Sequence, residues 1–324
     1  MKARILTATA AVFTLAGVLP AKAADQQLLT LLMPDAKIVA GVNVDQAKAS
    51  PFGQYVLSQM LPQDPHMRDL SLQTGFDPTK DVRELLVASS GAPGKETGLA
   101  LARGNYNIAG ITNAATQHGG SIEMYRGATI VQDPNKKVGI AFVDATLVIA
   151  GDLANVKAAI DRQSSPATLP SALLTQINEW SNSQDAWIVL AVPPTSLVPR
   201  AGAPKLPGVG PGQDAFQSIQ QAAGGIRFGS LVTVKVQGQT DNSQSAQQMG
   251  DALKLLASIA QMQNNNNDAA VKALLQSLTI GSQSNLLNVA ISLPSEQLVD
   301  LVGANKRAPT GPRRRIENRV ERKK

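Results

Sequence analysis

Any chemistry this chain performs must come from hydroxyls, carboxylates and amines, because its 324 residues contain no cysteine and two histidines, His66 and His118. Without cysteine there is no thiolate nucleophile, no Cys-held zinc or iron–sulfur site, no disulfide and no lipid-modified Cys at a mature start. A serine nucleophile would need an activating partner. The sequence has no Gly-x-Ser-x-Gly elbow, and no Ser is followed three residues later by Lys. His66 follows Asp64-Pro65 at a helix start and His118 precedes Gly119-Gly120 at a helix end, so both read as polar caps rather than general bases. Metal ligation has little to work with: there is no His-Glu-x-x-His, and Asp77, Asp81 and Glu84 are spaced for turn capping, not for a calcium loop. Gly208-Val209-Gly210-Pro211-Gly212 imitates a phosphate loop, but Pro211 has no amide to donate and no Lys-Ser or Lys-Thr follows. The sequence therefore assigns no catalytic residue, no metal ligand and no cofactor. A pair of carboxylates brought together only by folding stays open as the competing source of catalysis.

The chain's two ends carry physical signals of their own. Lys2 and Arg4 precede the uncharged stretch Ile5 to Leu19, Pro20 breaks it, and Ala21-Lys22-Ala23 offers small residues where a signal peptidase reads. Residues 1–23 thus read as a cleaved secretory signal, since an uncharged, mostly apolar stretch of fifteen residues falls short of the roughly 20 that span a bilayer. No later segment reaches spanning length. Of the formal net charge of +6, the signal holds +3 and residues 304–324 hold +7, leaving the body at −4. The basic tail is expected to be disordered, and Arg313, Arg314, Arg315, Arg319, Arg322, Lys323 and Lys324 are the candidates for contact with an anionic lipid, envelope polymer or acidic protein. A mildly acidic body with 3% aromatic residues argues against a nucleic-acid-binding fold.

Between the ends, hydrophobic period sets the architecture. Leu287, Val289, Ile291 and Leu293 alternate with polar or small residues, as do Val232, Val234 and Val236, which predicts antiparallel strands with one wetter face. Ile188 to Val192 and Leu147 to Ala150 are continuous apolar runs and predict strands covered on both faces. Helices follow hairpins: Val138 to Ala150 leads to an Asp152 cap and the stripe Leu153, Val156, Ile160, and Thr279 to Ile291 leads through Pro294-Ser295 to Leu298, Leu301, Val302 and a stop at Gly303. Similar units are Glu84 to Ala88 with Gly98 to Arg103 before a helix at Ile108 to Gln117, and Ile226 to Val236 before a helix from Ser243 to Met262. Ala246, Met249, Leu253, Leu256 and Ala260 give that last helix an apolar stripe, and its polar face lacks the basic residues of a membrane-surface helix, so core packing is expected. Lys37 to Val44 is a further strand, and Ser50-Pro51 starts a helix through Phe52, Tyr55, Val56 and Leu57.

The expected fold is α+β: repeated strand-strand-helix units forming largely antiparallel sheet with helices on one side. Ser164 to Pro170 divides it into an N-terminal half, 24–165, and a C-terminal half, 166–303, before the tail 304–324. Pro193 to Gln213 is rich in Pro and Gly and reads as an exposed loop. Met33 to Asp45, Ser50-Pro51-Phe52-Gly53, Gly75-Phe76-Asp77-Pro78 before Asp81 to Glu84, and Val148 to Asp152 before Val156 to Asp161 together make the chain similar to exported bacterial proteins of unknown function. That resemblance covers most of 24–303 and brings no catalytic residues with it. It implies a periplasmic or secreted setting and a duplicated α+β body. The reading is an exported, non-enzymatic binding or scaffold protein of the cell envelope; the alternative is a periplasmic hydrolase using dispersed carboxylates.

Overall fold

The computed structural model describes residues 24–60, 71–91, 98–133, 135, 137–196, 217–263 and 269–307. The predicted signal peptide, His66, most of the Pro/Gly loop and the tail arginines and lysines from Arg313 onward lie outside the described residues. Of that loop, Pro194–Ser196 forms a short 3-10 turn.

The described strands join one antiparallel sheet of twelve, in the order β11-β12-β10-β9-β8-β1-β2-β3-β7-β6-β5-β4. They are β1 (Ile38–Asn43), β2 (Val82–Ser89), β3 (Gly98–Gly104), β4 (Ser121–Tyr125), β5 (Ala128–Gln132), β6 (Val138–Asp144), β7 (Leu147–Asp152), β8 (Ala186–Leu190), β9 (Ile219–Arg227), β10 (Leu231–Thr240), β11 (Thr279–Gln283) and β12 (Leu286–Pro294). The α+β class and the antiparallel pairing agree with the expectation from period. β1 lies between β2 and β8, so the sheet runs without a break across the boundary at Ser164 to Pro170.

Ten helices are described: α1 (Gln26–Leu31), α2 (Val44–Lys48), α3 (Pro51–Met60), α4 (Pro78–Asp81), α5 (Ile108–Gln117), α6 (Leu153–Asp161), α7 (Ser171–Ser183), α8 (Ser243–Gln263), α9 (Ala269–Ser277) and α10 (Ser295–Arg307). Their caps follow from side-chain chemistry. Asp152 Oδ1 accepts from the Ala154 amide at 3.0 Å, which starts α6 as expected, and Asn107 Oδ1 accepts from Gly110 to start α5. Pro51 opens α3 beneath Ser50, whose hydroxyl accepts from Gly53 at 2.9 Å. Ser295 departs from its predicted role: its hydroxyl accepts from the Phe52 amide at 2.8 Å and so ties the start of α3 to the start of α10. Nor does Gly303 end α10, which runs on to Arg307.

Side chains alternate across a strand, so the paired registers divide the sheet into two faces. The first carries Val39, Leu86, Leu101, Ile149 and Ala141, and α1, α6 and α7 pack on it in the largest core cluster. Leu28, Leu31, Leu86, Leu101, Leu147, Ile149 and Ile177 are fully buried there. The second face carries Val232, Leu293, Leu287 and Ile280 at its C-terminal end, and α3, α8, α9 and α10 cover it through two smaller clusters. Helix α5 also lies on the second face, where Tyr106 and Ile111 pack on Phe142. The expectation of helices on one side is therefore corrected: the side that carries most helices changes along the sheet. Composition explains the change. The first face of β10 and β12 presents Thr233, Lys235, Gln237, Asn288 and Ser292, which gain nothing from a helix above them.

Candidate functional site

One row of residues crosses the second face from edge to edge. Successive registers pair Ile280 with Val289, Val236, Gly224, Ile188, Ala40, Val87, Ala100, Ala150, Ile140, Val131 and Ile122. Every member is apolar or glycine. Val236, Ile188, Val87, Ile140 and Ile122 are 50, 40, 40, 43 and 48% exposed. Met124 and Val138, on the same face of the neighbouring positions, are exposed as well. The ten strands from β10 to β4 span roughly 43 Å at about 4.8 Å per strand. Isolated exposed aliphatics are ordinary on a protein surface, but a contiguous apolar strip is the mark of a contact surface.

Ile280 and Val289 at one end of the row pack under α8 and Val131 joins the cluster under α5; the rest is open because the covering helices stop short of it. α3, α9 and α10 meet Val232, Leu293 and Phe228, and α5 stands over Phe142, while the stretch around β8, β1 and β2 lies between these groups. Small side chains at Ala40, Ala100 and Ala150 and the bare Gly224 make the floor shallow, with Ile188, Val87 and Ile140 standing above it. At the β5 to β7 end the floor deepens into a depression of about 570 Å³ between the sheet and the end of α5. Val131, Ile140 and Ala150 line its base, and Ala115, His118, Gly119 and Gly120 line its rim. The runs Ile188 to Val192 and Leu147 to Ala150 were expected to be covered on both faces; Ile188 shows that the second face of β8 is open instead.

The chemistry-bearing residues are placed elsewhere. His118 sits at the C-terminal end of α5 as predicted, its Nε2 at 2.9 Å from Gln73 Oε1, with its backbone amide closing the helix on Ala114. Asp77 caps α4 by accepting from Thr79, pairs with Lys80, and its own amide donates to Asp81 at 2.7 Å. The Thr79 and Lys80 bonds hold the Asp77 carboxyl below its ordinary range. Asp185 is the buried acid, 4% exposed, at the start of β8. Burial raises its pKa, while the Phe228 amide at 2.7 Å and the charge of Arg227 act the other way. Burial likewise pushes Tyr106 up to about 12, with Asp81 adding to the shift.

A second polar group lies under the first face, at the start of the described chain. Arg103 Nε meets Asp25 Oδ2 at 2.8 Å and its Nη2 donates to Gln27, while the Asp25 amide donates to Glu84 Oε1 at 3.0 Å. Burial acts to raise Asp25, but the Arg103 guanidinium and the Gln27 and Leu28 amides outweigh it and leave the carboxyl below its usual value. Among the described residues no three His, Asp or Glu gather as metal ligands, and no helix is long and apolar enough to cross a membrane. Asp25, Asp77 and Asp185 each accept from a backbone amide, that of Gln27, Thr79 and Phe228 respectively. Sequence reading missed the strip altogether, because its members come from twelve different strands; the available signal was the unbroken apolar run in β1, β7 and β8.

No protein-family model matches the chain, and no curated protein matches it in sequence. Solved structures do match its fold. Crystal form III of TP0453 superposes with a TM-score of 0.54 at 9% identity, over 85% of this chain and 97% of that one. Crystal form IV of the same protein gives 0.50 at 11% identity, over 85% and 95%. At this identity the likeness extends to the fold alone.

Proposed function

We propose that the chain is an exported, non-enzymatic binding protein of the bacterial envelope, and that the uncovered apolar strip on the second face of its sheet is the surface that binds. The observation that carries this reading is the open part of that uncharged row, in which Val236, Ile188, Val87, Ile140 and Ile122 are exposed while other parts of the same face are covered. Leaving such area in water gives up about 25 cal/mol per Å² that covering it would supply. A ligand or partner with an apolar face recovers that energy. Export is supported by the charged, apolar and small-residue order of residues 1–23. The tail adds an electrostatic contact through Arg313, Arg314, Arg315, Arg319, Arg322, Lys323 and Lys324, worth about 1 kcal/mol per charge near an anionic surface.

Titration with anilinonaphthalene sulfonate, an apolar dye, tests the strip. Replacing Val87, Ile188 and Ile140 together by Thr is expected to weaken dye binding about tenfold with the circular dichroism unchanged; equal dye binding by both proteins removes the strip from the account. The same proteins sedimented with phosphatidylglycerol vesicles test the tail, since loss of residues 304–324, and not the three strip changes, should abolish the salt-sensitive part of binding.

A further inference from the structure

The two edges of the sheet are finished differently. At one, β11 carries Gly281 and Ser282, and Ile280 packs under α8 with Met249 and Leu253. At the other, β4 has no proline, lysine or bulge, the devices that usually keep an edge strand from pairing with another chain. Its side chains sort by face. Ile122 and Met124 are exposed on the second face, while Glu123 on the first is held at 2.7 Å by Lys157 Nζ, which also stands 5.3 Å from the centroid of the Tyr125 ring. The turn to β5 fixes which backbone groups are free. Arg126 and Gly127 have φ of 46° and 86°, as a two-residue type I′ turn requires, so the flanking Tyr125 and Ala128 exchange both their hydrogen bonds. Alternation along the ladder gives the same exchange to Glu123 with Ile130 and to Ser121 with Gln132. The amides and carbonyls of Ile122 and Met124 therefore point away from β5, and among the described residues no strand pairs with them.

We infer that β4 pairs antiparallel with β4 of a second copy of this chain, about a two-fold axis through Glu123, so that the sheet continues from one molecule into the other. The strand is self-complementary in this register. Centring on Glu123 sets Ile122 opposite Met124 of the second copy and Met124 opposite its Ile122, both as hydrogen-bonded pairs, and every outward amide and carbonyl of these residues finds a mate. Moving the axis to Ile122 would ask Gly120 to pair with Met124, but the Gly120 amide already donates to Ala115 at 2.9 Å. Moving it to Met124 would ask the same of Arg126, whose positive φ turns it out of the strand. A slip of one residue would set the apolar side chains of one copy on the charged face of the other. The side chains agree with the backbone. On the second face Ile122 and Met124 cover each other in cross-strand contact, twice, by symmetry. On the first face the two Glu123 carboxylates meet at the axis, each bringing its own Lys157, so that ammoniums flank the acids and like charges do not stand alone. A second β4 is the occupant that answers each feature at once: Met124 for Ile122, Ile122 for Met124, and a Lys157 beside each Glu123. The contact is short, so the dimer is transient and forms at micromolar concentrations or above. It leaves Val87, Ile188 and Ile140 open, and what the row binds does not bear on it.

The protein obtained by expressing the full chain is followed by sedimentation velocity from about 1 to about 300 μM, a range that brackets a weak interface. It is expected to pass from monomer to dimer. Met124→Pro removes the outward amide at the seam in both copies and leaves the bonds to β5 in place, so it should weaken dimerisation about tenfold or more with the circular dichroism unchanged. Because the chain has no cysteine, single replacements report the register directly. Glu123→Cys places a thiol on the axis within disulfide reach of its mate, and oxidation with copper phenanthroline should link the two copies. Ser121→Cys stands four residues out of register with its mate, about 14 Å away at about 3.4 Å per residue, and should stay unlinked. The crosslinking decides alone if Met124→Pro unfolds. A parent that remains monomeric throughout that range overturns the pairing. So does a dimer that Met124→Pro, still folded, leaves at full strength, or one in which Glu123→Cys links no better than Ser121→Cys.

Discussion

The two faces of the sheet over β1, β2, β3 and β7 are both apolar in sequence, and they are covered to different extents. On the first, Val39, Leu86, Leu101 and Ile149 disappear beneath α1, α6 and α7. On the second, Val87 is 40% exposed, its neighbours Ala40 and Ala100 are only partly buried, and Ala150 lies at the base of the depression beside the end of α5. The C-terminal strands β10 and β12 resolve the same choice conventionally: the apolar face is covered and the other face is polar and wet. The lesson is that covering is decided by what the chain brings next, not by how apolar a face is. Helix α1 enters directly after the predicted signal and, with its cap, fills the first face with Leu28, Leu29, Leu31 and Leu32, whereas on the second α5 reaches only Ala102 and Val148 at the β3 and β7 side and Val87 stays exposed. A face as apolar as a core and left open is where a binding surface is to be sought.

The largest expected effect lies at the covered centre. Leu28 is fully buried between α1 and the first face, and Leu28→Ala removes its packing and leaves a cavity, so urea unfolding should show a loss of about 2 to 5 kcal/mol. A loss below about 1 kcal/mol would mean that α1 is an accessory rather than the filling of that face, and the contrast between the faces would weaken. A matched pair then separates covered from open on the second face alone. Val232 is fully buried and Val87 is 40% exposed, both on that face. Val232→Thr places a hydroxyl in the cluster around Phe52 and Leu293 and should cost about 1 to 3 kcal/mol, whereas Val87→Thr should stay within about 0.5 kcal/mol. Equal costs would show that the strip is covered in solution.

Much of this architecture is written locally and can be read there. Asp152 before Leu153, Ser50 before Pro51, and the alternation through Val232 and Leu287 each mark an element because a cap, a fixed φ or a period of two is a property of a few neighbouring residues. The beginning of β9 is not readable in that way. Ala222, Ala223, Gly224 and Gly225 have poor strand propensity, and they are extended because β8 and β10 pair with them on both sides. Their smallness is required by the packing: a Cβ on Gly225 would stand 2.5 Å from Gln184 Cγ, and one on Gly41 would stand 2.6 Å from the Trp187 ring. α1 was hidden for a different reason, being one and a half turns long and stabilised by burial rather than by its own sequence. The candidate site was invisible as a unit, since its members meet only through eleven strand pairings. The basic tail was plain in sequence; its first residues, to Arg307, continue α10, and the rest lies outside the described residues.

The smallest expected effect concerns the seam where the two arrangements meet. Asp185 immediately precedes β8, and its backbone carbonyl accepts from Asn43 on β1, its amide donates to Ile226 on β9, and its side chain accepts from the Phe228 amide. Burial favours the protonated carboxyl, so the folded state holds that proton more tightly than the unfolded chain. The contribution of Asp185 is therefore fully present below the unfolded pKa of an aspartate and is lost as pH rises through the higher folded value. Asp185→Asn keeps an oxygen for Phe228 and cannot ionise. The variant should be more stable than the parent at neutral pH by less than about 1 kcal/mol, and the parent's decline between acid and neutral pH should flatten in it. A variant that is instead destabilised at every pH would show that the carboxylate itself, through Arg227, holds β8 against β9, and the seam would then belong to the charged clamps near Asp25 rather than to the apolar sheet.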